Sequence, residues 1–409
     1  MLSNSFSSWN SKVNWSTIIV VSIIMAIFPI IGLCLSVLFF RHKYAICFFI
    51  LFSFYFGWFY EPQMDLLVHY EHFKHLAGKS LLDSWSDPMT LKLGKELYPV
   101  MFKYLLGLIS DSPNFFSACA CTIYSSLFII GILIPLRNLY THTMSIPAWL
   151  LFLGIIFTVE YYWFLGFRFW SGAFVFTGFY LRYINSGDIK YLWLTILCIC
   201  FHFSLLPLCI LALFNNIFKR YKFIYYYIIL LLSFLIRFSN FSFYQFVGRL
   251  RFLDGYLNDN ISNESIRISV EKLTVEQRIY GNQFYLLREQ IAILGPLIVI
   301  FILYKIFNKA FFIQNSKLWG FCILLLSISN FGYSNITFYD RFFKISLLFF
   351  YIFTYIFFMS EQIKLNTKMQ LNMILVLILP VLYLIITPLV EQRESLSQLK
   401  LWFNSFFIG

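Results

Sequence analysis

Charge is what this sequence has least of. Only 12% of its 409 residues are Asp, Glu, Lys or Arg, where a soluble domain carries about 25%. Also missing are the sequence signatures of nucleotide and hydrolytic chemistry. No Walker A, GxGxxG, HExxH or GxSxG is present, which argues against an ATP-driven pump and a soluble-type hydrolase. There is no CxxC pair. The eight cysteines (Cys34, Cys47, Cys119, Cys121, Cys198, Cys200, Cys209, Cys322) all lie in or beside apolar runs, and none falls in the two long polar segments. They read as small hydrophobes rather than as ligands or disulfide partners. No solenoid period, low-complexity tract or duplication of halves is visible. The net charge of +12 comes in short clusters between apolar stretches. That is the distribution of topology charge, and it excludes a nucleic-acid stripe.

What is present is apolar mass. The chain is 60% hydrophobic, with 52 Phe and 27 Tyr, and its mean hydropathy is +0.75. Such a composition places it in a bilayer, with aromatic residues suited to lipid-facing surface and interfacial belts. A span needs about 20 apolar residues. Candidates run over 17–40, 44–60, 114–135, 147–164, 168–184, 190–214, 222–239, 290–307, 318–336, 341–359 and 369–390. The expectation is an all-α polytopic membrane protein forming a single integral membrane domain over 1–409, with roughly eleven spans. The first 16 residues are polar and the run after them is too long for a signal-peptide core, so it reads as the first membrane helix.

Two polar segments interrupt the pattern. Residues 61–97 carry six acids and four lysines, and the loop continues through short helices to 113; residues 240–289 mix six basic residues with six acids. Near-neutral loops suit the non-cytoplasmic side. The basic clusters "RHK", "LRN", "RYINSGDIK", "KRYK", "YKIFNK" and "EQIKLNTK" suit the cytoplasm. Two of these, 182–190 and 219–222, flank a single apolar run, and one crossing cannot return to its starting side. Residues 190–214 contain "CFHFSLLPLC", and proline breaks helices. Two short helices meeting near His202, a re-entrant hairpin, resolve the parity; a kinked single span with one misplaced cluster is the alternative.

Few residues carry chemistry. Arg168 stands in "YYWFLGFRFWSGAF" (161–174) at the start of a span. A cation in hydrocarbon costs at least ~2.5 kcal/mol. It is either an interfacial anchor that snorkels or an anion clamp matched to phosphate or carboxylate. Asp340 and Arg341 open another span on the same expected side, as anchors or as a second cation and a polar contact. His202 is the one histidine of six inside an apolar run, where an ionisable group marks a polar cavity or a satisfied core contact. Asp65 lies just beyond a membrane exit. His69, His72 and His75 sweep too wide an arc on a helix to hold one metal. Arg249, Arg251, Arg267, Arg278 and Arg288 are matched by loop acids and read first as a solvated face, second as contacts to an anionic head group.

The stretch "FRFWSGAFVFTGFYLRYINSGDIKYLWLTILCICFHFSLLPLCILALF" (167–214) resembles the bacterial polysaccharide polymerases of the Wzy and EpsG type. The matching features are Arg168 before Ser171–Gly172–Ala173, the basic turn from Arg182 to Lys190, and His202 with Ser204. An early loop with Asp65, Tyr70 and "LYPVMFKYLLGLIS" agrees, as does Arg341 at a later span. Ala173 lies one position off the family's R-x-x-x-A spacing. The resemblance implies a GT-C-like helical bundle in the bacterial inner membrane. It would move a growing glycan from undecaprenyl diphosphate onto the terminal sugar of a new lipid-linked repeat unit, at the periplasmic face. It further implies that Arg168, Arg341, Arg249 and Arg288 meet the diphosphate, that Tyr70 and Asp340 touch substrate, and that His202 is the base, with Asp65 or Glu160 behind it. No cofactor or metal is implied; membrane lipid, a chain-length regulator and a flippase are the expected partners. An O-antigen ligase shares this layout. A flippase of lipid-linked oligosaccharide would show two similar halves, and a membrane O-acyltransferase would place a histidine inside its first span rather than in a turn as His42 is.

Overall fold

The computed structural model describes residues 43–59, 64–76, 78–87, 96–137, 145–158, 166–218, 224–238, 283–306, 315–333, 336–360 and 367–391. Among the described residues there is helix and no strand, so the chain is all-α. Two helical stretches, Pro113–Leu136 and Phe338–Met359, are long and apolar enough to cross a membrane; apolar helices such as Ile146–Thr158, Ile224–Arg237 and Ser316–Phe331 are shorter. The candidate first span, 17–40, and the loop residues 240–282 with Arg249, Arg251, Arg267 and Arg278 lie outside the described residues.

The chain divides into two compact units: 1–140 with 161–209 and 394–409, and 141–160 with 210–393. In the first unit, α1 (Lys43–Trp58) packs on α5 (Pro113–Phe128), and the polar segment between them folds into α2 (Met64–Leu76), α3 (Leu81–Ser86) and α4 (Leu97–Gly107). Local chemistry sets the boundaries. Ser112 caps α5 by accepting the Phe115 N–H, with Pro113 in the first turn, where a missing N–H costs nothing. Helix α5 then passes through a π turn at Ile129–Leu133 before Ile134–Arg137. Gly131, inside that turn, lies against α7 (Phe167–Ser186): a Cβ there would collide with the Phe174 carbonyl, and a Cβ on Gly178 would meet the Gly131 Cα at 2.8 Å. α7 ends at Gly187, whose φ of 72° is the left-handed cap that glycine adopts without cost. Asp188 then caps α8 (Ile189–Leu194).

After α8 the chain tightens to a 3-10 segment, Thr195–Cys200, and breaks at Phe201–His202, where His202 is extended (φ −156°, ψ 120°). A short 3-10 turn, Phe203–Leu205, leads into α9 (Leu206–Phe218). The chain doubles back at this break. The Cys198 and Cys209 sulfurs are 3.5 Å apart, whereas 11 residues of continuous helix would span about 16 Å. Pro207 does not make the break; it sits in the first turn of α9, where proline is tolerated. The break falls at His202, whose side chain supplies the cap for the next turn.

The second unit is built from α6 (Ile146–Thr158), α10 (Ile224–Phe238), α11 (Gln283–Ile306), α12 (Ser316–Phe331), α13 (Ile336–Ser360) and α14 (Thr367–Glu391), with the C-terminal part of α9. α13 is apolar nearly all round and runs through its interior, packed by α6, α11 and α12. Glycines again set close approach: Tyr351 fills the space over Gly154, and its hydroxyl donates to the Ala292 carbonyl at 3.4 Å. α11 already begins at Gln283, so the expected second loop, 240–289, ends inside a helix.

Candidate functional site

In the first unit an arginine and a histidine meet at one carboxylate. Glu96 stands at the N-cap of α4, yet its side chain does not cap that helix. It reaches instead to Arg168 at the start of α7, where Nη1 donates to Oε2 at 2.8 Å. The other oxygen, Oε1, accepts the Phe203 N–H at 3.1 Å and lies 3.3 Å from His202 Nδ1. All three side chains are largely buried: 9% exposed for Glu96, 13% for Arg168 and 12% for His202. One carboxylate therefore joins the start of α4, the start of α7 and the broken segment.

Arg168 does not reach out as a snorkelling side chain would; it is largely buried beside Glu96. It is an ion-paired arginine, and its guanidinium is aimed by Glu96. The small residues that follow it have a packing reason. A Cβ on Gly172 would strike the Leu205 side chain and come within 2.9 Å of Phe201 Cβ and 3.0 Å of the Cys198 carbonyl. Gly172 lets the broken segment lie directly on α7.

His202 faces the Phe169 ring edge-on at 5.7 Å. Its Nδ1 accepts the Ser204 N–H at 3.2 Å and lies 2.9 Å from the Ser204 hydroxyl. Accepting that N–H and donating to Glu96 are mutually exclusive uses of one nitrogen. The imidazole consequently has two tautomers with different partners: Nδ1 capped by Ser204 with the proton on Nε2, or Nδ1–H directed at Glu96 with Nε2 open as an acceptor.

A second polar group lies beneath this one. Lys103 of α4, 2% exposed, donates from Nζ to His72 Nδ1 at 2.7 Å, and His69, 1% exposed, packs edge-on against Phe167. Burial holds the His69 imidazole well below its ordinary pKa, with Arg168 and Lys103 adding to the effect. Burial and then the Lys103 ammonium lower His72 to about 3. Both histidines are therefore neutral in the fold. A lowered histidine binds fewer protons folded than unfolded, so its contribution is complete above the unfolded value, about 6.5, and is lost as pH falls from there toward 3. The thermal midpoint of the purified protein is expected to hold from pH 7.5 to about pH 6.5 and to fall from there to pH 4.5, and His72→Gln is expected to flatten that slope. A flat wild-type profile across this window would contradict the assignment.

The remaining expected site residues are placed as follows. Tyr70 is a core aromatic, packed on Phe73 and Phe116 with the Lys74 ammonium 5.6 Å above its ring. Asp65 lies in the first turn of α2 and Arg288 in α11. Glu160 and Arg249 are outside the described residues. Asp340 and Arg341 belong to α13 of the second unit, where Asp340 pairs with Lys344 at 3.3 Å. No group of three or more metal-ligating side chains occurs among the described residues. Sequence reading missed Glu96 and Lys103. The available signal was a carboxylate directly before a proline-containing helix, and a lysine in an otherwise apolar turn.

The fold and site together define an all-α protein whose first unit encloses a carboxylate–arginine–histidine cluster at a break in a helix. Compared with family models, curated proteins and solved structures, the chain matches none.

Proposed function

We propose that this chain is a polytopic, GT-C-like glycosyltransferase of a bacterial inner membrane that polymerises surface polysaccharide. In this reading it has roughly eleven spans, with 190–214 re-entering the bilayer from one side and the Glu96 cluster facing the periplasm. The observation that carries the proposal is the meeting of Arg168 and His202 on one buried carboxylate. Both come from the stretch that resembles the polymerases. Large apolar side chains at the surface suit a lipid surround: Leu231 is 62% exposed, Leu375 63% and Leu379 61%.

The chemistry is displacement at the anomeric carbon of the growing chain. The C1–O bond to the lipid diphosphate breaks, the diphosphate oxygen keeps the electron pair, and a sugar hydroxyl of the new repeat unit bonds to C1 and loses its proton. A fixed guanidinium in a dry site stabilises the charge building on the leaving oxygen. Arg168 is assigned that role. His202 is assigned as base. In the tautomer with Nδ1–H directed at Glu96, Nε2 can accept the hydroxyl proton, and the resulting imidazolium lies beside a carboxylate.

The test is made in cells that assemble a long surface glycan. Arg168→Ala and His202→Asn are each expected to lower polymerisation by about 10²-fold or more, leaving a single capped repeat. Normal ladders from both variants at normal expression would sink the assignment. Loss of every capped product, the single repeat included, would point to a ligase.

A further inference from the structure

The two units treat their helix-end arginines differently. Arg168 is ion-paired with Glu96 within the first unit. Arg237, in the last turn of α10 in the second unit, is not matched by a carboxylate among the described residues, yet it is held as firmly. Its Nη1 donates to Asn330 Oδ1 at 3.1 Å, and the buried Asn330 is itself fixed by donating from Nδ2 to the Ser233 hydroxyl at 3.2 Å. The guanidinium carbon lies 4.6 Å from the Tyr333 ring centre and 5.1 Å from that of Tyr339. Those two rings meet edge-to-face at 5.1 Å and 83°.

An amide, a hydroxyl and two phenol rings fix the direction of the guanidinium without cancelling its charge. The acid closest in sequence to this cage, Asp340, has its own cation in Lys344. Arg237 remains half-buried, so it is neither dispersed into water nor sealed in the core. A preset guanidinium with one edge anchored, and no carboxylate on it among the described residues, is the geometry that takes a tetrahedral oxyanion through the rest of its donor fork.

We propose that Arg237, caged by Asn330, Tyr333 and Tyr339, is a binding site for a phosphate group. The inference does not depend on the glycosyltransferase reading. The phosphate belongs to a lipid head group or to a soluble ion, and the experiment separates the two.

The full chain is placed in phosphate-free maltoside micelles and its thermal midpoint is measured. In one arm phosphatidic acid is doped into the micelle; in the other inorganic phosphate is added against chloride at matched ionic strength. The wild type is expected to be stabilised in one arm. A rise with phosphatidic acid alone assigns a lipid head group, and a rise with inorganic phosphate alone assigns a soluble ligand. Arg237→Gln is expected to weaken apparent binding about tenfold or more, and Arg237→Lys to keep part of it. Asn330→Asp is the decisive variant, because it keeps Arg237 and the shape of the cage while supplying the missing carboxylate. It is expected to abolish the rise, even if Arg237→Gln does not fold. No rise for the wild type in either arm, or a full rise retained by Asn330→Asp, overturns the proposal.

Discussion

Replacing Glu96 with alanine is expected to destabilise the first unit by about 3–5 kcal/mol, the cost of leaving a buried charge without its partner. The change strands the Arg168 guanidinium, 2.8 Å from the lost oxygen, and removes the acceptor of the Phe203 N–H. Arg168→Ala strands Glu96 in the same way. Residues that share one buried contact are not additive, so the double variant should be less destabilised than the sum of the two, by roughly 0.5–3 kcal/mol. A denaturant or thermal cycle on the four proteins measures this coupling. Strict additivity would show that the pair is not formed in the folded protein. The measurement concerns stability alone, so it separates the architecture of the cluster from any role in glycan transfer.

Gly131→Ala is the second large effect. The added methyl would point into the Phe174 carbonyl, which is backbone of α7 and cannot rotate away. Overpacking of this kind costs about 1–3 kcal/mol, occasionally more, and the upper end is expected here because the facing surface is Gly178 and main chain rather than a flexible side chain. The same substitution at Gly107 has ordinary room, its nearest neighbour being the Phe73 ring at 3.7 Å, and serves as the control for helix propensity. Equal losses in thermal midpoint for the two variants would show that the α5–α7 contact is looser than described.

Much of the fold was legible beforehand because helices announce themselves locally. The "NSGD" turn between α7 and α8 contains a left-handed cap glycine and a side-chain N-cap, each dictated by neighbours a few residues away. The break near His202 was legible for a different reason: charge clusters on both sides of one apolar run could not both be cytoplasmic if it crossed once. Its cause was misread. Proline was the visible breaker, but the chain turns where His202 adopts an extended backbone and caps the Ser204 N–H.

Composition and periodicity by themselves determined that the chain is helical and apolar, that Arg168 opens a helix, and that His202 stands at an interruption. Those properties depend on contacts within a turn or two, or on bulk partitioning between water and hydrocarbon. Only the tertiary structure decided what the charges do. Glu96 meets Arg168 across 72 residues and Phe203 across 107, and no spacing rule encodes such a meeting. Likewise Arg237 finds Asn330 across 93 residues. Which arginine meets a carboxylate and which meets an amide is set by helix packing, because in a low-dielectric interior a charge is governed by its nearest few ångströms and not by its position along the chain.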